Sequence, residues 1–444
     1  MIKTIHEIRD PIHVFVRLDP DERKVLNSRP FQRLRHIHQL AFSYLVYPGA
    51  THRRFEHSLG VMELAGRVFD TVTHSENLIP EVRDQFPEIA VEDTRRYWRR
   101  VVRMAALCHD LGHLPFSHAA EKQLLPEGWT HERLSKELIL SSEMKAIWDG
   151  MTPPLRPSDI VKLAVGPFKE KESQFTNWEA ILSEVIVGDS FGVDRIDYLL
   201  RDSHHTGVGY GKFDHYRLID TLRILPSPTP GPTAGEGPSE PALGVEEGGI
   251  HSAEALLLAR YFMYTQVYIH PIRRIYDIHL QEFLSDWLPD GKFSTDLEKH
   301  LRMTDNEALA AMLGADLNSG AKGHEHARRI VRREHFKILY QRQPSDVAVN
   351  PSAAKTVYRA AITKFGDQNV RYDEYRGRGG GVRDFPVLTK DGRVVSAIAL
   401  STVLKNLPVA VRETVFVAPN LTQEANNWLE THRKEIIKPA SEEE

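Results

Sequence analysis

The sequence has little of several things that define common protein classes. It contains one cysteine, Cys108, in 444 residues, which excludes an intramolecular disulfide framework and makes a reducing compartment the simplest setting. It has no apolar run near the roughly 20 residues that a bilayer span requires. Residues 1–6 also lack the apolar stretch of a secretion signal. We therefore expect a cytoplasmic protein without a membrane segment.

The sequence also has no large excess of charge of either sign. Its 57 Lys and Arg residues oppose 61 Asp and Glu residues, a net charge of -4 with histidine neutral. This balance argues against a general nucleic-acid-coating surface, so a nucleic-acid partner is only a weak expectation. With 41% hydrophobic and 27% charged residues, the composition is that of a globular protein, and the length predicts more than one folded unit.

The most informative stretch is residues 107–118 (LCHDLGHLPFSH), which holds three histidines and an aspartate. Apolar residues recur at helical spacing just before it, which places His109 and Asp110 near the C-terminal end of an amphipathic helix. Gly112 and Pro115 predict that this helix ends there. An imidazole and a carboxylate side by side can bind one divalent cation, and mixed nitrogen and oxygen ligands suit a first-row transition metal. We therefore predict a metal site that is completed by residues elsewhere in the chain.

Two further residues lie in contexts that suit such a site. His57 stands at the start of a predicted helix, and Asp194 lies on a helical face that also carries Asp197, Tyr198 and Arg201 at spacings of three, four and seven. A carboxylate-rich face with apolar neighbours is more often a buried site than plain surface. The alternative remains open, because one histidine chosen among 22 is more often structural or exposed than a ligand.

The C-terminal part of the chain changes character. Residues 384–389 and 394–398 flank a turn containing Asp391-Gly392, a strong hairpin signal. A helix at 400–406 and a strand at 414–417 predict a small α/β region over 346–444, after a larger domain over 1–345. Residues 226–249 are rich in proline and glycine, which predicts a flexible loop, or a short hairpin, inside the larger domain. A basic helical stretch at 327–340 is open to three interpretations: a solvated face, an allosteric phosphate site or a nucleic-acid patch.

The four candidate ligands occur in the order of a known signature. His57, His109-Asp110 and Asp194 reproduce the His…His-Asp…Asp pattern of the HD phosphohydrolase superfamily, which the sequence resembles. The flanking segments 31–35 (FQRLR), 47–50 (YPGA), 54–61 (RFEHSLGV) and 194–198 (DRIDY) resemble deoxynucleoside triphosphate triphosphohydrolases, over roughly residues 7–280. The resemblance implies a mainly α fold, with an HD-domain helical core and a small α/β C-terminal region. It also implies a homo-oligomer, a dimer or a tetramer.

The resemblance assigns roles to residues of this sequence. The metal ligands would be His57, His109, Asp110 and Asp194, and the divalent ion could equally be Mn, Mg, Fe, Ni or Zn. His131 would protonate the leaving group, held by Glu121 where the family usually has aspartate. The positions that contact phosphates are Arg54, Arg195 and two histidines grouped with the catalytic residues, His113 and His118. The positions that contact the sugar or base are Gln39, Leu40, Tyr198, Asp202 and Tyr276.

A second nucleotide site is also implied. In a mammalian member of the family, an aspartate near the position of Asn27 reads an activating guanine nucleotide, whereas Gln32 and Arg35 match that member. Activation by a nucleotide is therefore expected, but guanine specificity is not supported. An arginine and a histidine of that member become Tyr268 and Ile272, which alters the expected phosphate contacts.

These roles predict hydrolysis of deoxynucleoside triphosphates to deoxynucleoside and tripolyphosphate. Cleavage needs cations on the phosphoryl oxygens, an activated water and a protonated leaving oxygen, which a metal, arginines and histidines can supply. One alternative is an HD phosphohydrolase that acts on another nucleotide, such as an alarmone, a cyclic nucleotide or a monophosphate. Another is a non-enzymatic binder of nucleotides or single-stranded nucleic acid.

Overall fold

Apolar residues at helical spacing build most of the fold. The computed structural model describes residues 5–227, 240–377 and 384–438, apart from the side chains of His118, Ala120 and Lys122. The predicted mainly α fold class is confirmed. The α-helices are Pro20–Leu26 (α1), Arg29–Arg33 (α2), Arg54–Val72 (α3), Pro80–Gln85 (α4), Pro87–Ala90 (α5), Glu92–Cys108 (α6), His118–Leu124 (α7), His131–Ile139 (α8), Ser142–Asp149 (α9), Pro157–Val165 (α10), Asn177–Val187 (α11), Val193–Thr206 (α12), His215–Thr221 (α13), Ile250–Met263 (α14), Pro271–Trp287 (α15), Leu297–Arg302 (α16), Asp305–Leu317 (α17), His324–Val331 (α18), Pro344–Val349 (α19), Ala353–Phe365 (α20), Ala397–Leu400 (α21), Thr402–Lys405 (α22) and Thr422–Ile436 (α23).

Strands are short and belong to three sheets. They are His6–Asp10 (β1), Val14–Leu18 (β2), Leu222–Pro226 (β3), Pro241–Glu246 (β4), Lys337–Gln341 (β5), Val370–Arg376 (β6), Pro386–Leu388 (β7), Val394–Ser396 (β8) and Val411–Val417 (β9). The sheets have the orders β1-β2, β3-β4-β7-β8 and β5-β9-β6. Every pairing among these strands is antiparallel except β4 with β7.

The chain divides into two units that alternate along the sequence. Unit 1 comprises Met1–Met263, Ser294–Asp305 and Gly381–Pro408, and unit 2 comprises Tyr264–Phe293, Asn306–Gly380 and Val409–Glu444. The region expected over 346–444 is therefore shared between the units, and the boundary expected at residue 345 falls inside unit 2. The reason is strand pairing: the predicted hairpin forms as β7-β8 but pairs with β4 in unit 1, whereas β9 pairs with β5 and β6 in unit 2.

For residues 226–249 a flexible loop or a short hairpin was expected. Within them β4 pairs with β3 as a hairpin, and residues 228–239 lie outside the described part. A second stretch differs from expectation. The basic stretch at 327–340 is helical only to Val331, and β5 begins at Lys337. Arg333 adopts a positive φ of 59°, a conformation that ends a right-handed helix.

Three helices of unit 1 position the candidate site. Helix α3 packs against both α6 and α12. The first half of α6 is charged, but every residue from Val101 to Cys108 is buried, so its C-terminal end lies in the core. Burying apolar side chains there contributes about 1.5–3 kcal/mol for each large one. The core thus fixes the positions at which the helix ends present their polar residues.

Among the described residues, no helix is both long enough and apolar enough to cross a membrane.

Candidate active site

Two histidines and an aspartate from three different helices converge in unit 1. His57 lies in the first turn of α3, His109 directly follows α6, and Asp194 lies in the first turn of α12. Each offers a ligand atom, and these three atoms all lie within 4.8 Å of one another. His57 Nε2 is 3.0 Å and His109 Nε2 is 3.5 Å from Asp194 Oδ1. Residues far apart in the sequence therefore form one compact donor set.

The fourth predicted ligand, Asp110, borders this set. Its Oδ1 is 3.3 Å from His109 Nε2, and its Oδ2 is 3.7 Å from His57 Nε2. The same carboxylate also pairs with the Arg54 guanidinium and lies 3.1 Å from His113 Nε2. Asp110 is therefore placed to reach the ion while its charge is shared with two neighbouring side chains.

Both histidines point Nε2 towards the other ligand atoms. His57 Nδ1 is 2.8 Å from Asp197 Oδ2, and His109 Nδ1 is 2.8 Å from the carbonyl oxygen of Ala106. Because these oxygens can only accept, each Nδ1 carries the proton and each Nε2 faces the carboxylates. His109 Nε2 is buried and has no hydrogen-bond partner among the described residues. Two such nitrogens beside carboxylates fit a divalent first-row metal ion.

The electrostatics of the set favour positive charge. Burial by itself lowers the pKa of His57, but hydrogen bonds to Asp194 and Asp197 outweigh it and raise this pKa to about 10. The pKa of His109 is raised too, because the attraction of Asp110 and Asp194 outweighs burial. Burial alone would raise the pKa of Asp194, but the attraction of His109 and the hydrogen bond with His57 lower it. The cluster therefore attracts a cation to the point where the Nε2 atoms meet.

The predicted proton donor, His131, is the first residue of helix α8. Glu121 Oε1 accepts hydrogen bonds from His131 Nδ1 at 2.6 Å and from the His131 backbone N–H at 3.0 Å. The longer glutamate therefore reaches the imidazole. Burial lowers the pKa of His131, but the hydrogen bond and charge of Glu121 outweigh it, so that pKa is raised.

His113 connects the proton donor to the ligand set. Its ring stacks on that of His131 with centroids 4.0 Å apart, and ligand atoms of Asp110, His113 and His131 lie within 4.8 Å of one another. Burial and the nearby Arg54 charge hold the pKa of His113 well below its ordinary value, so this ring is neutral at pH 7. A protonated His113, one form in which it could bind phosphate, is not favoured.

Gly112 allows helix α8 to approach this closely. A Cβ atom at residue 112 would lie 2.2 Å from the carbonyl oxygen of His131 and 2.3 Å from the backbone nitrogen of Ser135. Ser135 Oγ accepts from the Gly112 N–H at 2.9 Å and donates to the carbonyl oxygen of His109 at 2.9 Å. The turn that carries the ligands is thereby tied to the helix that carries the proton donor.

Both arginines that were predicted to contact phosphates form hydrogen bonds within the protein. Arg54 is buried and donates to Ser117 Oγ at 2.8 Å as well as pairing with Asp110. Arg195 donates to the carbonyl oxygen of Gly188 at 3.3 Å, in the segment before α12. The side chain of His118 lies outside the described part.

Two of the predicted sugar-contacting residues of unit 1, Gln39 and Asp202, contact His52. Asp202 Oδ1 is 2.7 Å from His52 Nε2, and the Gln39 N–H donates to the carbonyl oxygen of His52 at 3.0 Å. Gln39 Oε1 is buried without a hydrogen-bond partner among the described residues. Leu40 is buried beside Gln39, and Tyr198 is half-buried on α12.

Tyr276 belongs to unit 2. Its ring lies 4.9 Å from that of His335, and its side chain is fully buried there.

In unit 1, the three predicted effector residues lie at the end of α1 and beyond. Asn27 caps that helix, Gln32 Nε2 donates to the carbonyl oxygen of Leu26 at 2.7 Å, and Arg35 Nε donates to Gln32 Oε1 at 2.9 Å.

Several residues of the site were not singled out as site residues from the sequence. Asp197 holds His57, and its spacing on the α12 face was a visible signal. Asp305 accepts from the backbone N–H of His38 and of Phe116, each at 2.7 Å, and so ties two segments beside the site. No local pattern marks Asp305, because its partners are distant in the sequence.

A mainly helical fold brings His57, His109-Asp110 and Asp194 together in the arrangement that the HD signature predicts, and this donor set could hold a metal ion. The family models agree: the HD domain matches residues 54–201, and the HD associated region matches residues 213–364. The chain therefore belongs to the HD-domain superfamily of metal-dependent phosphohydrolases.

Individual relatives extend this finding. Uncharacterized protein YwfO of Bacillus subtilis (strain 168) is 34% identical over 278 residues, which cover 62% of this chain and 54% of that protein. Deoxynucleoside triphosphate triphosphohydrolase SAMHD1 of Homo sapiens is 30% identical over 380 residues, which cover 78% of this chain and 56% of that protein. The chain thus spans about half the length of these curated relatives. A crystal structure of a hypothetical protein from Aquifex aeolicus matches with a TM-score of 0.76 and 32% identity, covering 96% of this chain and 100% of that chain.

Proposed function

We propose that the chain hydrolyses deoxynucleoside triphosphates to deoxynucleoside and tripolyphosphate with a bound divalent metal ion. The observation that carries the proposal is the meeting of His57, His109 and Asp194 within 4.8 Å, with the His131–Glu121 pair next to it. A metal centre alone suits many hydrolyses, whereas a buried, charged proton donor beside it suits expulsion of a poor leaving group. The name of the human relative, a deoxynucleoside triphosphate triphosphohydrolase, supports the choice of substrate.

Each group of site residues has its own role in the proposed reaction. A divalent ion held by His57, His109, Asp110 and Asp194 would neutralise phosphate charge and make water a stronger nucleophile. Arg54 and Arg195 add positive charge for the phosphates. Water attacks the α-phosphorus and releases a proton to solvent, the bond to the 5′ oxygen breaks, and that oxygen takes a proton from His131, which then recovers one from solvent. Glu121 keeps His131 protonated until then.

The sugar would be recognised next to His52. The buried Gln39 Oε1 lacks a hydrogen-bond partner among the described residues, and His52 holds the Asp202 carboxylate. Buried polar atoms of this kind are costly unless a ligand satisfies them. A sugar hydroxyl has one proton to donate, which either of these acceptors can take, and we propose that the 3′-hydroxyl binds between them.

Product identification tests the proposal. The protein is incubated with each deoxynucleoside triphosphate, singly and mixed, with Mn²⁺ or Mg²⁺, and phosphorus NMR and chromatography identify the products. We expect tripolyphosphate and deoxynucleoside, lost in His109→Ala and retained in His251→Ala, a control at an exposed histidine. Release of pyrophosphate or monophosphate would point to another nucleotide substrate. Binding without hydrolysis would point to a binder that keeps the fold.

We also propose nucleotide activation and a homo-oligomer, dimer or tetramer. Turnover that occurs only in nucleotide mixtures would reveal an activator, and Gln32→Ala should weaken its effect. Size-exclusion chromatography with light scattering, with and without nucleotide, measures the oligomeric order. A monomer at all concentrations would contradict the second proposal.

A further inference from the structure

The carboxylate of Asp197 joins the metal ligand His57 to two other side chains, His13 and Arg201. Its Oδ2 accepts from His57 Nδ1 at 2.8 Å, and its Oδ1 is 2.6 Å from His13 Nε2. Arg201 Nε donates to Oδ2 at 2.9 Å and Arg201 Nη2 to Oδ1 at 3.0 Å. None of these side chains is more than 1% exposed. A buried charge bound this completely has a fixed position.

His13 reaches Asp197 from the turn of the β1-β2 hairpin. Asp10, at the end of β1, accepts from the backbone N–H of Ile12 at 2.8 Å and of His13 at 2.9 Å, so its Oδ1 shapes the turn. The other oxygen, Oδ2, accepts from Arg201 Nη1 at 2.9 Å. The hairpin is therefore held to α12 by two contacts, one through Asp10 and one through His13.

Helix α3 leaves room for this arrangement. A Cβ atom at Gly60 would lie 1.9 Å from Asp197 Oδ1 and 2.5 Å from Arg201 Nη2. Gly60 follows His57 by one helical turn, so the space it leaves admits the carboxylate against the helix that carries the ligand. Glycine inside a helix is less favourable than alanine. The close approach explains why glycine stands here.

We propose that Asp197 and His13 are positioning residues of the metal site. We further propose that cation binding at His57 and packing of the β1-β2 hairpin against α12 are thermodynamically linked. Asp197 accepts the proton of His57 Nδ1, which leaves Nε2, on the Asp194 side, as the nitrogen that a cation can bind, and its negative charge makes the imidazole a stronger ligand. Partners of this kind change metal affinity by about 10–100-fold in other sites. Linkage is reciprocal, so a cation that strengthens the His57–Asp197 contact also strengthens the packing of the hairpin against α12.

The inference rests on the proposed function only in requiring a cation at this site. Its first test is Mn²⁺ affinity, measured by isothermal titration calorimetry on the full chain. We expect Asp197→Asn and His13→Phe to weaken Mn²⁺ binding about tenfold or more. His13→Gln, which can still donate to Asp197, should restore much of it. Gly60→Ala should also weaken binding, because its methyl group displaces the carboxylate.

A matched control separates positioning from general stability. Glu179→Gln weakens the pair that Glu179 forms with Lys162 at 2.8 Å. This pair joins α10 to α11 and includes neither His57 nor the hairpin. The variant should lower the unfolding temperature at most and leave Mn²⁺ affinity unchanged.

The second test needs no variant. Hydrogen exchange of the amides of residues 12–16 is measured with and without Mn²⁺, and we expect slower exchange when the ion is bound. Unchanged exchange in a protein that binds Mn²⁺, or unchanged affinity in folded Asp197→Asn, would overturn the inference while leaving the proposed function intact. A wild-type protein that binds no divalent ion would instead overturn the proposed function, and the inference with it.

Discussion

Replacing Glu121 by glutamine should move the activity of the enzyme towards acid pH. The Glu121 Oε1–His131 Nδ1 contact is 2.6 Å, between side chains that are 16% and 13% exposed. Glutamine keeps an oxygen that can accept from Nδ1 but removes the negative charge that stabilises the imidazolium. The protonated form of His131 is the form that the proposed reaction requires, so the variant should lose it at a lower pH.

The expected size of the pH shift follows from the distance between the two charged groups. Two unit charges about 4 Å apart interact with about 4 kcal/mol at an effective dielectric constant of about 20, an upper limit for this pair. A hydrogen bond to a charged group is roughly twice as strong as a neutral one, which leaves a loss of about 1–2 kcal/mol. At about 1.4 kcal/mol for each pH unit, the descending limb of the kcat profile should move by about one pH unit.

The assay is tripolyphosphate release between pH 6 and 10 at saturating substrate, with circular dichroism to verify folding. Glu121→Asp is the matched variant: it keeps the charge but is one methylene shorter, so it should lose the contact in this chain. We expect it to be slower than wild type although the family usually has aspartate at this position. An unchanged pH profile in Glu121→Gln would refute the role of Glu121 in holding the proton on His131.

Three other predictions concern the metal site, acid stability and backbone packing. His109→Ala should abolish measurable Mn²⁺ binding with little change in circular dichroism, and retained binding would contradict the ligand assignment. Burial, with the nearby Arg329 and His326 charges, outweighs Glu282 and lowers the pKa of His279 to about 4. The ordinary pKa of histidine is about 6.5, so the unfolded chain binds the proton first as pH falls, and up to about 3 kcal/mol of stability is lost between pH 6.5 and 4. Urea unfolding at pH 7.5 and 5 should therefore show a smaller pH effect in His279→Gln than in wild type. Gly112→Ala, whose methyl group would meet the His131 carbonyl oxygen at 2.2 Å, should destabilise the protein by about 1–3 kcal/mol and lower kcat, whereas Gly209→Ala, with no atom within 4 Å, should do neither.

Local patterns predicted the parts of the fold that depend on neighbours in the sequence. The periodicity before residue 109 gave the end of α6, which the structure places at Cys108. The Asp391-Gly392 turn predicted the β7-β8 hairpin, since the loop of residues 389–393 between the strands is short and depends on its own backbone preferences. The helical spacing of Asp194 and Asp197 predicted that they share a face of α12, and both contact His57.

Sequence patterns did not predict the structure of segments that pair with a strand distant in the sequence. Residues 337–340 end the basic stretch that was predicted to be helical, but they belong to β5, which pairs with β9 about 75 residues later. The β7-β8 hairpin follows the strands of unit 2 in the sequence, yet it joins the sheet of unit 1 through β4. Nothing in either segment specifies its partner, because pairing register is set by backbone hydrogen bonds with another strand.

The sequence by itself determined the chemical types of the donor set, its family resemblance and the helices that carry it. Those properties follow from residue identity and from periodicity within about twenty residues. Only the tertiary structure decided which nitrogen of each histidine faces the carboxylates, that Asp197 and His13 stand behind His57, and that Glu121 reaches His131. These depend on distances of about 3 Å between residues up to 184 positions apart, and such distances arise only when the helices pack.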